Sequence, residues 1–339
     1  MNRAVCSILL VSFLLLGALA QSQNQIVNVG NQFTSNVVTS VAPGVLITLT
    51  TPNLNVPDAT ASTIPLPSSL SGVSVLVRAM GAKDTTGYPT SLPILNIYST
   101  SSSETSEGVL CGPSVLLCSY TQITVQIPTE GVCAPRIGSS QSCGQPLESL
   151  PPLIVLNVKA NGVTGPDLPL QVQNFFSHPL QSCDPVLGRN TGACSAEVIH
   201  ADGTFVTADS TRPAKVGEVI SVYAIGLLMP QIASGSASAT PIELDLSNGV
   251  MNFTYTTGIS PPVRGPLMPG QVFGLSSMTF QSVVPEWVGL IPGFVGLFQI
   301  NIRVPPVTSG TLVPCGSNGN TTLAFGQLET GALYICVQP

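Results

Sequence analysis

"VGLIPGFVGLFQINIRVP", residues Val288–Pro305, decides what kind of chain this is. Its second half alternates. Ile300, Ile302 and Val304 fall on one face, and Asn301 and Arg303 on the other. Period two with β-branched residues is the pattern of a half-buried strand. Proline stops the run, because it lacks the N–H that a ladder requires. The first half is apolar but carries Gly289, Pro292, Gly293 and Gly296, with Glu286 nearby. Those residues suit a membrane helix poorly. The stretch therefore reads as a turn-rich apolar loop feeding a core strand.

The same alternation recurs in Gly72–Met80, Thr121–Pro128, Leu153–Ala160, Val250–Thr256 and Met278–Val284. No segment carries a convincing 3.6-residue period. Two pairs of segments also repeat. "APGVLITLTTPNL" (Ala42–Leu54) matches "KVGEVISVYAIGL" (Lys215–Leu227), and "TQITVQIP" (Thr121–Pro128) matches "FQINIRVP" (Phe298–Pro305), at nearly the same offset. That is the mark of a duplicated domain. Many short strands between Gly/Pro/Ser turns predict an all-β protein of two tandem β-sandwiches, residues 21–175 and 176–339.

Only 8% of the 339 residues are charged, against an ordinary quarter or so, while 44% are hydrophobic, which excludes a disordered chain despite 32 Gly and 30 Pro. Residues 1–20 read as a signal peptide: Arg3, then the apolar run Ser7–Gly17, then the small-x-small site Ala18–Ala20. The mature chain would begin at Gln21. Losing Arg3 takes the net charge from −6 to −7. An acidic surface argues against nucleic acid or anionic lipid as partners. No membrane span is expected once the leader is removed.

Cys6 leaves with the leader. Cys111, Cys118, Cys133, Cys143, Cys183, Cys194, Cys315 and Cys336 remain. An even set in an exported chain reads as disulfides, and the gaps are too long for the usual zinc spacing. The strand from Ser119 to Pro128 would span about 30 Å and separate Cys118 from Cys133. Bridged Cα atoms must lie within roughly 7 Å. Sequential pairing is therefore expected: Cys111–Cys118, Cys133–Cys143, Cys183–Cys194 and Cys315–Cys336.

Catalytic motifs are not found. There is no G-x-S-x-G elbow, H-E-x-x-H, P-loop or G-x-G-x-x-G. His200 beside Asp202-Gly203 reads as an exposed histidine at a hairpin turn rather than a catalytic pair. Glu243–Gly249 resembles a calcium loop, but its glycine comes one place early and no bidentate Glu follows. Asn252 and Asn320 stand in N-x-T sequons. No metal and no cofactor is expected. Trp287, Leu290, Ile291, Pro292 and Phe294 form the one concentrated apolar cluster. It reads as a lid on the second sandwich or as a partner-binding patch, with the lid preferred because large exposed apolar patches are uncommon.

"STIPLPSSLSGVSVLV" (Ser62–Val77), "YTQITVQIP" (Tyr120–Pro128), "RPAKVGEVISVYAIGL" (Arg212–Leu227) and above all Gly289–Pro305 carry a further likeness. Over most of the chain from about Ile26 onward, the sequence resembles the C-terminal domain family abundant in Solibacter-type Acidobacteria. The resemblance implies an exported bacterial protein with Ig-like or IPT/TIG-like sandwiches and no established activity. The sequence departs from that pattern in two cysteine-bearing insertions, residues 101–118 and 130–152, and in lacking a further glycine after Gly226. The resulting expectation is an exported, non-catalytic structural, adhesive or binding module for an extracellular protein or glycan. Its rivals are a secreted hydrolase acting on polysaccharide, with clustered carboxylates, and a carbohydrate-binding module centred on Trp287.

Overall fold

The computed structural model describes residues 24–30, 40–79, 91–102, 118–129, 153–172, 178–184, 187, 194–227, 232–244, 251–258, 277–307, 311–316, 319–325 and 333–339. The expected leader, Cys111, Cys133, Cys143 and most of the calcium-like loop lie outside these residues. The described residues form strands and turns with no α-helix. They fall into two compact units. Unit 1 comprises Met1–Val41, Leu46–Gln173 and Ala233–Gly235; unit 2 comprises Ala42–Val45, Asn174–Ile232 and Ser236–Pro339.

Unit 1 holds β1 (Asn28–Gly30), β2 (Ser40–Val41), β3 (Leu46–Pro52), β4 (Ala59–Thr60), β5 (Ser74–Ala79), β6 (Ile94–Ser102), β7 (Cys118–Gln126), β8 (Leu153–Ala160), β9 (Val163–Thr164) and β10 (Leu168–Val172). One sheet runs β1-β3-β7-β6-β4 and the other β2-β10-β8-β5. Apart from the two-residue edge strand β4, in chain order these are the A-B-E-D and G-F-C sheets of an immunoglobulin-like sandwich, with the first strand split so that β2 pairs in parallel with β10. The core is the inward set of both sheets. Ile47, Leu49, Ile123, Val125, Val75, Leu156 and Val158 are all fully buried.

Unit 2 holds β11 (His178–Pro179), β12 (Val198–Ile199), β13 (Ala214–Lys215), β14 (Val219–Ile225), β15 (Ile242–Glu243), β16 (Met251–Gly258), β17 (Ser277–Val283), β18 (Trp287–Leu290), β19 (Phe298–Arg303), β20 (Thr311–Leu312), β21 (Thr321–Phe325), β22 (Leu333–Ile335) and β23 (Val337–Gln338). Its first sheet runs β11-β14-β19-β18-β15, with β12 also on β14. A second sheet runs β17-β16-β21-β22, and β13 pairs in parallel with β23. Ile220, Val222, Phe298, Ile300, Ile302, Val304, Phe253, Tyr255 and Leu323 fill the core between them. Each such side chain contributes about 1.5–3 kcal/mol by leaving water.

The matched segments occupy matched places. In β3–β7, Ile47 faces Val125, Leu49 faces Ile123 and Thr51 faces Thr121. In β14–β19, Ile220 faces Ile302, Val222 faces Ile300 and Ala224 faces Phe298. Each pair of the first set maps onto its counterpart in the second through the two sequence matches.

The opening stretch differs from expectation in one respect. Its first part is not all loop. Trp287–Leu290 is strand β18, hydrogen-bonded to β19 in an antiparallel hairpin, and only residues 291–297 form the turn. Gly293 and Gly296, at φ of 79° and 64°, supply the left-handed positions of that turn.

Two disulfides lie among the described residues, Cys183–Cys194 and Cys315–Cys336, with Cα separations of 4.9 and 5.6 Å. Both are pairs of the sequential scheme. Beside the second, buried Asn320 bridges the break between β22 and β23. Its amide donates to the Val313 and Val337 carbonyls, and its carbonyl accepts the Val337 N–H. An asparagine so enclosed is not a glycan acceptor in the folded state.

Candidate functional site: the outer face of the second sandwich

The alternation that buries Ile300 and Ile302 turns Gln299, Asn301 and Arg303 outward. On β14 the same alternation presents Ser221 and Tyr223. Register assembles these residues into rows. Ile199, Ser221, Asn301 and Trp287 are successive cross-strand partners, and so are Tyr223, Gln299, Gly289 and Glu243. The centre of the face is a ready-made polar network. The Ser221 hydroxyl donates to Asn301 Oδ1 at 2.7 Å. The Gln299 amide donates to the same oxygen at 2.7 Å and to Ser221 Oγ at 3.2 Å.

The Trp287 indole leans over this face onto Gly289. A Cβ at Gly289 would sit 2.5 and 2.8 Å from Cζ2 and Cη2 of the indole, and 2.4 Å from the Ile242 carbonyl oxygen. Only glycine at 289 lets the ring cover the strand. Tyr223 stands on the other side of Gln299, two strand spacings away, or about 10 Å. Neither the Trp287 N–H nor the Tyr223 hydroxyl has a hydrogen-bond partner among the described residues. Burial and the neighbouring Glu197 raise the Tyr223 phenol above its ordinary range, so it stays a neutral donor. Arg303 closes one end of the face, donating to Glu286 at 2.7–2.8 Å and to the Gly217 carbonyl.

The apolar cluster expected from sequence is divided by the fold. Leu290 turns inward and is 1% exposed, so it belongs to the core and to no surface patch. Ile291, Pro292 and Trp287 are half-buried. Phe294 is 56% exposed at the turn and does not close the sandwich. Sequence alone does not mark Tyr223, Gln299, Ser221 and Gly289 as site residues. Their only signal there is the outward phase of strands already recognised.

The corresponding face of unit 1 is shut. Thr48, Asn96, Thr124 and Gln126 are 4% exposed or less, Thr48 bonds Thr124, and Gln126 Oε1 accepts the Gly235 N–H.

The histidines serve the frame. His200 is not the exposed residue its turn suggests. Its Nδ1 lies 2.6 Å from Glu218 Oε1, while Glu218 Oε2 accepts the Lys215 N–H. Asp202 caps its own turn by accepting from the Thr204 N–H and hydroxyl, which hold its carboxyl below the usual range. His178 and Asp184 meet at 3.0 Å, 1% and 2% exposed, and Asp184 also accepts the Gln181 N–H. A pair closed off from solvent in this way fastens a loop and offers nothing to a substrate. Among the described residues, no three His, Cys, Asp or Glu side chains gather as a metal set, and no helix is long and apolar enough to cross a membrane.

No protein-family model matches the chain, and no curated protein matches it. Among solved structures, the C-terminal domain of the Streptococcus agalactiae AgI/II polypeptide BspA (wild type) aligns over 86% of this chain and 92% of its own. Identity is 8% and the TM-score 0.18. A structure titled BspA_C_mut aligns over 79% and 86% at 8% identity and a TM-score of 0.17. At these values the likeness carries no argument about fold or role.

Proposed function

We propose that this chain is an exported, non-catalytic binding module, adhesive or structural in role, that recognises its target through the outer face of its second sandwich. The observation that carries the reading is the half-exposed Trp287 indole, set over Gly289 beside an organised amide network on a half-open sheet face. Residues there are placed to touch something outside the chain. The leader pattern Arg3 to Ala20 and the two disulfides support export, since such bonds persist in oxidising compartments. The likeness to the Solibacter-type domain family points the same way. Identical strand order in β1-β3-β7-β6-β4 and β11-β14-β19-β18-β15, with matched register, supports descent of the two sandwiches from one duplicated domain.

Two measurements test this reading. Mass spectrometry of the secreted protein should give Gln21 as its N-terminus; intact Met1 on the protein would refute export. The purified protein should bind the surface of the producing cells, and Trp287→Ala should weaken that binding with the melting temperature nearly unchanged. A hydrolytic turnover abolished by one Asp or Glu substitution would replace the module with the hydrolase.

A further inference from the structure

Resting on that reading, the geometry points to an uncharged pyranose polysaccharide as the ligand, laid across the strands from Trp287 to Tyr223. A pyranose ring presents a face of C–H bonds and a girdle of hydroxyls. The half-exposed Trp287 indole offers the matching apolar surface, and the amide, hydroxyl and N–H groups around it offer the polar girdle. Gln299 Oε1, the Trp287 N–H and the Tyr223 hydroxyl are open for such bonds, while Gln299 Nε2, Ser221 and Asn301 are locked together and hold the row in place. The distance from the Trp287 ring to Tyr223, about 10 Å, is one that a disaccharide spans.

Charge selects the neutral member of the class. The centre of the face is uncharged. Arg303, a cation at its end, is already engaged by Glu286, and Glu243 and Glu197 stand at either edge of the row. An anionic polysaccharide would meet these carboxylates on a chain of net charge −6. A protein partner would be expected to use a more apolar centre than a glutamine–asparagine–serine row.

The protein supplies its own reporter, because Trp287 is the only tryptophan in the sequence. The full chain is titrated with hydroxyethylcellulose, galactomannan and dextran, and with carboxymethylcellulose as the anionic counterpart, while indole emission is followed. At least one neutral polymer should give a saturable change in emission, and carboxymethylcellulose should bind more weakly at low salt. Gln299→Ala keeps the reporter and should lower affinity about tenfold. Trp287→Ala should abolish retardation in neutral-polysaccharide affinity gels with the melting temperature retained. Three results would overturn the inference: no neutral polymer changes the emission, the anionic polymer binds better than the neutral one, or Trp287→Ala binds as the wild type does. If the glycans fail while cell-surface binding persists and depends on Trp287, the ligand class is wrong and the binding module stands. If cell binding is absent as well, both fall.

Discussion

Ile302 and Arg303 are chain neighbours with opposite surroundings. Ile302 is fully buried between the sheets of unit 2, and Ile302→Ala should cost about 2–5 kcal/mol. Arg303 is half exposed, and its ion pair with Glu286 lies in water, so Arg303→Ala should cost under about 1 kcal/mol. Urea unfolding of the two variants should separate them clearly; equal losses would contradict the inward phase of β19. Tyr255 gives a pH-dependent case. Its hydroxyl donates to the Pro305 carbonyl at 2.7 Å inside the core, and burial drives the phenol far above its ordinary value of 10.0. The unfolded chain therefore releases this proton first. The contribution is complete below about pH 10 and declines as the pH climbs past it. At neutral pH, Tyr255→Phe should lose about 1 kcal/mol with the bond. The gap between wild type and variant should narrow under alkaline conditions, as read by denaturant midpoints from about pH 9 to pH 11.

At the scale of the element, β19 was legible and its hairpin partner β18 was not. In β19 the outward positions hold Gln and Asn, so polarity marks the period. In β18 the outward positions hold Trp287 and Gly289, and the inward ones Val288 and Leu290. All four are non-polar or small, so the alternation exists in space and is invisible in composition. A half-exposed aromatic on the solvent side of such a strand is a place where a functional surface is expected. Two-residue strands such as β2, β4, β13 and β15 are illegible for a different reason: two residues cannot display a period. Cysteine spacing, by contrast, could be used directly. The loop closed by Cys183–Cys194 also carries Asp184, the partner of buried His178. With 11 residues of separation, the chain-entropy model gives about 3 kcal/mol for this bridge. A Cys183→Ser, Cys194→Ser double variant should lose that much in equilibrium unfolding; an unchanged midpoint would show that the loop is held without it.

For the molecule as a whole, two matched pairs of segments mark the same place in both units. A pattern read twice in sequence became the same central strand pair twice in space, and the immunoglobulin-like order follows around it. The half-open outer face did not repeat. Thr48, Thr124 and Gln126 stand where Ser221, Asn301 and Arg303 stand in the second sandwich, and the first set is sealed while the second is half open. That divergence depends on what lies above each sheet, which no local pattern encodes.

The parallel pairings β2–β10 and β13–β23 have a mechanical consequence. In each sandwich an early strand and the last strand run side by side in the same direction. Tension applied through the flanking chain pulls the early strand backward and the last strand forward. The two must then slide lengthwise, so the hydrogen bonds of the patch are loaded in shear together instead of opening one at a time like a zipper. In the second sandwich Cys336 sits immediately before β23 and is tied to Cys315, so extension past the sheared patch meets a covalent stop. Each sandwich is thus arranged so that a pull on its ends loads these pairings lengthwise.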